Sequence, residues 1–240
     1  MSLPDVVSRE EWLEARRRLL AEEKEFTRRR DALNADRRRL PMVKIDKDYV
    51  FEGPDGQVTL AELFGDNKQL IVQHVMLGPD WEQPCPGCSA SLRELSQGVL
   101  DHMATRETVF VLTSRAPYDK IAAMAKERGW FFPWYSTYGS DFNYDYQVSL
   151  DAEVGQVQYN YRPEPELLGG ERSSEMPGYS CFLRDGDEIF HTYSAYARGS
   201  ESTVVSYAFL DMTALGRQED WEEPKGRVAP IRGGDPTFSS

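Results

Sequence analysis

Leu70-Ile71-Val72-Gln73-His74-Val75-Met76-Leu77, followed by Gly78-Pro79-Asp80-Trp81-Glu82-Gln83-Pro84 and then Cys85-Pro86-Gly87-Cys88, is the stretch that decides the fold. The first eight residues form a dense apolar run of strand length, the pattern of a central strand buried on both faces. A loop rich in Pro and Gly follows. Beyond Cys88, residues Ala90, Leu92, Leu95, Val99, Leu100 and Met103 recur at helical spacing and predict a helix over that span. Two cysteines three apart, after a buried strand and at the opening of a helix, read as a redox dithiol.

The chemistry of that spacing is direct. The thiolate is the nucleophile, and a free cysteine is mostly protonated near neutral pH. Unpaired N–H groups and the macrodipole at a helix start favour negative charge there. Cys85 is expected at that start, partly exposed, with Pro86 in the first helical position where a missing N–H costs nothing. Cys88 then lies one turn inside, within reach of a mixed disulfide on Cys85. The expected roles are Cys85 as attacking thiol and Cys88 as resolving thiol. A zinc ribbon would need two further ligands, and Cys181 and the three His do not supply them at ligand spacing, so no metal is expected.

Downstream, Thr108–Thr113 predicts a second strand, Pro117–Arg128 a helix closed by Gly129, and Phe131–Ser136 a third strand. Residues 138–175 are aromatic, acidic and turn-rich, with no clear assignment. Tyr179–Leu183 and Glu188–Tyr193 flank Arg184-Asp185-Gly186-Asp187 and predict a hairpin, and Thr203–Leu215 predicts a last helix. Upstream, Val43–Glu52 and Gln57–Thr59 surround the turn Gly53-Pro54-Asp55-Gly56, and Leu60–Phe64 reads as a helical turn closed by Gly65. Strands alternating with helices require a parallel core with right-handed crossovers, and the late hairpin adds antiparallel strands. The fold class is α/β, a mixed sheet flanked by helices.

Residues 1–40 differ from the rest. They hold 11 Lys/Arg and 9 Asp/Glu, a net of +2, against 17 and 31, a net of −14, in the remaining 200 residues. Ser8-Arg9-Glu10-Glu11 reads as a capping box, and Trp12, Leu19, Phe26, Leu33 and Leu40 recur every seven residues. One apolar residue per heptad is too narrow for a sustained coiled coil. The pattern predicts a helical arm, and dimerisation through Trp12, Leu19 and Phe26. The expected organisation is an arm over 1–40, a domain over 41–220 and a C-terminal tail over 221–240.

A net charge of −12 repels phosphate backbones, which argues against nucleic acid as a partner. The apolar runs fall short of bilayer length and the first residues do not read as a secretory signal, so no membrane partner is expected. Three cysteines make no disulfide scaffold; a cytoplasmic location with reduced thiols is the expectation.

The Cys-x-x-Cys after a strand, with Pro177 before the hairpin, resembles the thioredoxin superfamily. The stretches Trp81–Ser89, Phe132–Tyr146 and Tyr179–Tyr193, with the arm ending near Leu40-Pro41, resemble more narrowly an uncharacterised thioredoxin-like family, domain of unknown function 899, described as predicted dithiol–disulfide oxidoreductases. The likeness runs over roughly residues 5–225. It implies a thioredoxin-like sheet with an N-terminal hairpin extension and thiol–disulfide exchange without a cofactor. Its substrate would be a protein or small-molecule disulfide, with a thiol reductant supplying electrons. It also implies substrate contacts at Trp81, Pro86, Met176 and Pro177, with a cis bond before Pro177 exposing the Met176 backbone. The chain departs from the superfamily in having Pro-Gly between the cysteines, and Gln73 and His74 where an acid usually lies. His74 is a possible proton acceptor for Cys88, against the alternative of a satisfied core histidine.

Two other functions fit the residues. One is a peroxiredoxin-like thiol peroxidase with Cys85 as the peroxidatic thiol, although Pro79 and Gln83 fit its usual Pro-x-x-x-Thr-x-x-Cys motif poorly. The other is a non-enzymatic binding module. Cys181 reads either as a third thiol or as a small buried hydrophobe. The segment Trp130–Tyr161 holds 11 of the 28 aromatics and reads equally as a ligand pocket or a second hydrophobic patch.

Overall fold

A computed structural model describes residues 3–226 and Ala229. Helix α1, Arg9–Arg39, starts at Ser8, whose hydroxyl accepts from the Glu11 N–H while the Glu11 carboxylate accepts from the Ser8 N–H, the expected reciprocal cap. At ~1.5 Å per residue it is a rod of about 46 Å. No residue of it is buried, and Trp12, Leu19, Phe26 and Leu33 stand exposed along it. Its charges pair within the helix, as in Arg18–Glu14 and Arg29–Glu25.

The body begins with β1 (Val43–Lys44), the hairpin β2 (Val50–Gly53) and β3 (Gly56–Thr59), and a 3₁₀ turn, Glu62–Phe64, closed by Gly65 at φ 51°. Strand β4 (Gln69–His74) leads through the Pro-rich loop to α2 (Pro86–Glu94) and α3 (Gln97–Ala104). The single helix expected across Ala90–Met103 is thus two helices. Leu95 and Ser96 are extended, and the break lets Leu92, Leu95, Leu100 and Met103 all reach one core. Next come β5 (Thr108–Ser114), α4 (Tyr118–Arg128, ended by Gly129 at φ 64°) and β6 (Trp134–Ser136). The unassigned stretch holds α5 (Phe142–Asp145) and four short strands: β7 (Ser149–Asp151), β8 (Gln158–Tyr159), β9 (Arg162–Pro163) and β10 (Ser173–Glu175). The hairpin β11 (Gly178–Asp185) and β12 (Glu188–Tyr196) follows, then a 3₁₀ segment, Ala197–Thr203, and α6 (Val205–Leu210). The last helix is shorter than expected: past Leu210 the chain turns to Gly216 at φ 64°, ending the helix well before Leu215. Residues 227–228 and 230–240 of the expected tail lie outside the described residues.

Eight strands form one sheet in the order β1-β12-β11-β4-β5-β6-β2-β3. β4, β5 and β6 are parallel, while β11 runs antiparallel to both β4 and β12. The order β12-β11-β4-β5, with the first crossover through α2 and α3, is the thioredoxin arrangement, and the β2–β3 hairpin extends the far edge beyond β6. Alternation along β4 divides the core. Leu70 and Val72 join Phe51, Phe64, Phe142 and Phe182 on one face, while Ile71 and Val75 join Leu92, Leu112, Ile121 and Cys88 on the other.

The aromatic segment is mostly core. Phe142 meets Tyr49 and Phe51 edge-on, with ring centroids 5.1 and 4.9 Å apart, and Tyr159 and Tyr196 anchor a smaller cluster. Asp141 and Asp145 both pair with Lys47 at 2.7 Å, which uses them as structural anions. Among the described residues, no group of three or more His, Cys, Asp or Glu is placed to hold a metal ion, and no helix is long and apolar enough to cross a membrane.

Candidate active site

Cys85 stands at the junction that the sequence pattern picks out. Its N–H donates to the Met76 carbonyl at 3.0 Å, holding it against the end of the β4 segment. Its φ and ψ of −50° and 132° place it immediately before α2, and Pro86 is the first helical residue. Lys120 Nζ pins the loop from beneath, donating to the carbonyls of Pro79 and Trp81, each at 2.7 Å. The Cys85 sulfur, half-buried, receives hydrogen bonds from the Cys88 thiol and from the N–H groups of Gly87 and Cys88. The Cys88 bond is the largest influence. Together these donors outweigh burial and bring the Cys85 pKa down to about 6. The Cys88 thiol, 5% exposed, is pushed well above its ordinary value because it donates to Cys85 and is buried. One thiol is therefore set to ionise and the other to keep its proton. Both are free.

His74 does not reach this pair. It lies on the opposite face of β4, with Nε2 2.9 Å from Ser180 Oγ and Nδ1 3.2 Å from Thr113 Oγ1. Ser180 Oγ continues to Ser194 Oγ and on to His191 Nε2. Burial, with a small contribution from His191, drives the His74 pKa to about 3, so the ring is neutral and both nitrogens are satisfied. The histidine is a core residue, and its partners account for it. Cys181 is similar: burial pushes its pKa up to about 11, which leaves it a thiol at neutral pH.

The dithiol opens into a cleft of about 540 Å³. Gln73, Cys85, Gly87, Cys88 and Ser91 form one side, with Pro177, Gly178 and Tyr179 beside them. The opposite side comes from the segment after β12: Arg198, Glu201, Thr203, Tyr207 and Trp221. Pro177 is thus where the resemblance puts it, but the Met176–Pro177 bond is trans, not cis. The chain reaches β11 through β10, which pairs with β7, and this approach already fixes its direction: the Met176 N–H donates to Val148 O at 2.8 Å, and Pro177 O accepts from the Tyr159 hydroxyl at 2.8 Å. Trp81, Pro86 and Met176 do not line the cleft. Trp81 packs over Gly78, where an added Cβ would lie 3.0 Å from its ring, Pro86 faces outward, and Met176 joins the Tyr159–Tyr196 cluster.

Sequence reasoning missed the outer wall. Arg198 stacks on Trp221 at 3.7 Å and pairs with Glu201, while Arg217 ties Glu201 to Asp211. The wall is fastened to α2, since Glu94 accepts from both the N–H and the hydroxyl of Ser206 at 2.9 and 2.5 Å. Gly178 has to be glycine, because a Cβ there would fall 2.7 Å from the Tyr196 ring. Among these features only Gly178 sits beside a feature singled out in the sequence, Pro177.

Fold and site together define a thioredoxin-fold protein with a dithiol, Cys85 half-buried and Cys88 buried, at the first turn of its first crossover helix. The chain belongs to the family of bacterial proteins of unknown function DUF899, whose model matches residues 1–231. Among solved structures it is similar to peroxiredoxin Q of Xanthomonas campestris, with 13% identity, a TM-score of 0.43, and 69% of this chain and 90% of that one covered. It is also similar to peroxidoxin BcpB of Mycobacterium tuberculosis, with 13% identity, a TM-score of 0.40, and 70% and 95% covered. A hypothetical protein of Sinorhizobium meliloti 1021 is 17% identical, with a TM-score of 0.36 and 65% and 70% covered. No curated protein sequence matches the chain.

Proposed function

We propose that the protein is a dithiol–disulfide oxidoreductase. The observation that carries this reading is the Cys85 sulfur, lowered to a pKa of about 6 by a thiol and two backbone N–H groups while its neighbour stays protonated. The Cys85 thiolate attacks a substrate disulfide, forming a mixed disulfide and releasing one thiolate. Cys88 then gives its proton to the second leaving group as its sulfur attacks Cys85. The protein ends as the Cys85–Cys88 disulfide, the substrate as two thiols, and two electrons have moved; an external thiol reductant resets the pair. The Cys88→Ser variant is expected to accumulate a mixed disulfide on Cys85, visible as added mass that dithiothreitol removes. Absence of that adduct with any disulfide would refute the proposal. Peroxide consumption that survives loss of Cys88 would assign the site to thiol peroxidase chemistry instead.

We also propose a second copy of the chain as the partner of α1. The helix exposes an apolar seam within residues 1–40, whose net charge is +2, and the remaining 200 residues carry −14, so the arm complements the body of another molecule. Sedimentation is expected to give a dimer mass that falls to the monomer in a Trp12→Ala, Leu19→Ala, Phe26→Ala triple variant. A monomeric parent protein would overturn this.

A further inference from the structure

The cleft beside the dithiol contains a polar atom that the protein leaves without a partner. Gln73, on β4, is 4% exposed and lines the cleft. Its amide orientation is fixed by its neighbour. Ser91 Oγ donates its one proton to the Cys88 carbonyl at 2.9 Å, so toward Gln73 it can only accept, and it accepts from Nε2 at 3.1 Å. Gln73 Oε1 is then left buried with no hydrogen-bond partner. A buried acceptor of this kind carries its full desolvation cost unless something fills it. Gln73 shares the cleft wall with Cys85, Cys88 and Ser91.

Much of the backbone beside the same cleft is already hydrogen-bonded within the fold. β11 is paired on both sides, with β4 and β12, so among the described residues no open strand edge borders the dithiol. The Met176 N–H and the Pro177 carbonyl, the groups just before β11, are taken by Val148 and by Tyr159. Recognition of an extended chain by main-chain pairing needs such groups free. The remaining walls are aromatic, from Tyr179, Tyr207 and Trp221, and the volume of about 540 Å³ is that of a small-molecule site.

We infer that the cleft takes a low-molecular-weight disulfide whose arms carry amide N–H groups, one of which donates to Gln73 Oε1, and that it does not act on protein disulfides. This rests on the dithiol reading above and names its substrate class. The exchange is the one already written, with the small disulfide giving two small thiols.

The test uses the full chain, recycled by dithiothreitol, with three probes. Diacetylcystamine is small, uncharged and carries amide N–H groups; diethyl disulfide is small and lacks them; insulin is a protein disulfide. Diacetylcystamine is expected to show a kcat/KM about fivefold to tenfold above diethyl disulfide, the range of one neutral hydrogen bond. Insulin reduction is expected to match the rate with dithiothreitol alone. In Gln73→Met the ratio of kcat/KM for diacetylcystamine to that for diethyl disulfide is expected to fall to about one, through KM. Equal loss on both small probes in Gln73→Met, or insulin reduction above the rate with dithiothreitol alone, overturns the inference. The wild-type comparison needs no variant. Failure of Cys85 to exchange with any of the three would instead overturn the parent reading, which keeps the two outcomes distinct.

Discussion

A dipyridyl disulfide reacting with Cys85 is expected to show a rate that climbs about tenfold per pH unit below pH 6 and flattens above it. The sign follows from the reactive form, since raising the pH through the pKa creates thiolate. At pH 6.5 a thiol of pKa 6 is about three-quarters ionised, whereas one near 8.5 is about one per cent ionised. The less basic sulfur is intrinsically weaker by about thirteenfold, so the net advantage over an ordinary cysteine is about sixfold. The cause is separable. Cys88→Ala removes the strongest donor and leaves the N–H groups of Gly87 and Cys88, and should move the midpoint to higher pH. Cys88→Ser keeps a hydroxyl that can donate and should fall between. The folded pKa lies below the unfolded one. Ionisation of Cys85 therefore stabilises the reduced protein fully above about pH 8.5, and that contribution is lost as the pH falls through 6. A wild-type midpoint near 8.5 would remove the electrostatic basis of the site.

Arg115→Leu is expected to destabilise the fold by about 3–5 kcal/mol at pH 8, read from urea denaturation. Arg115 Nε lies 2.5 Å from Glu175 Oε1, and Glu175 is 3% exposed, with Oε2 accepting from Ser149. Burial already pushes the Glu175 pKa up against the pull of Arg115, Ser149 and Asn143. Without the guanidinium the carboxylate is buried and uncompensated, and its folded pKa rises further. Stability that depends on its protonation is present below the unfolded value of about 4.3 and is lost as the pH rises toward the folded one. The deficit should therefore shrink at pH 5. A deficit independent of pH would mean that lost packing, not the stranded charge, sets the cost.

What the sequence disclosed were features in which residue type and local geometry coincide. The apolar run before Cys85 forms β4, Pro86 opens α2, and Gly186-Asp187 makes a tight hairpin turn with Gly186 at φ 59°. The excursion from residue 138 to 175 stayed illegible because its strands are two or three residues long and pair across gaps, as Ser149 does with Glu175. No local periodicity can encode that. The outer wall of the cleft was hidden for the same reason: Arg198 finds Trp221 through space, not through spacing. The trans bond at Pro177 and the neutral core role of His74 depend on Val148, Tyr159, Ser180 and Thr113, none of them adjacent in the chain. The dithiol was legible because helix-start chemistry is local; the cleft around it was not.

The Tyr159 phenol donates to Pro177 O at 2.8 Å and accepts from the Ala197 N–H at 2.9 Å. One buried oxygen thereby fastens the two banks of the cleft at the roots of both. A displacement of the β8–β9 finger cannot stay private to it. It is felt at Pro177 and at Ala197 together, on the two sides of the dithiol.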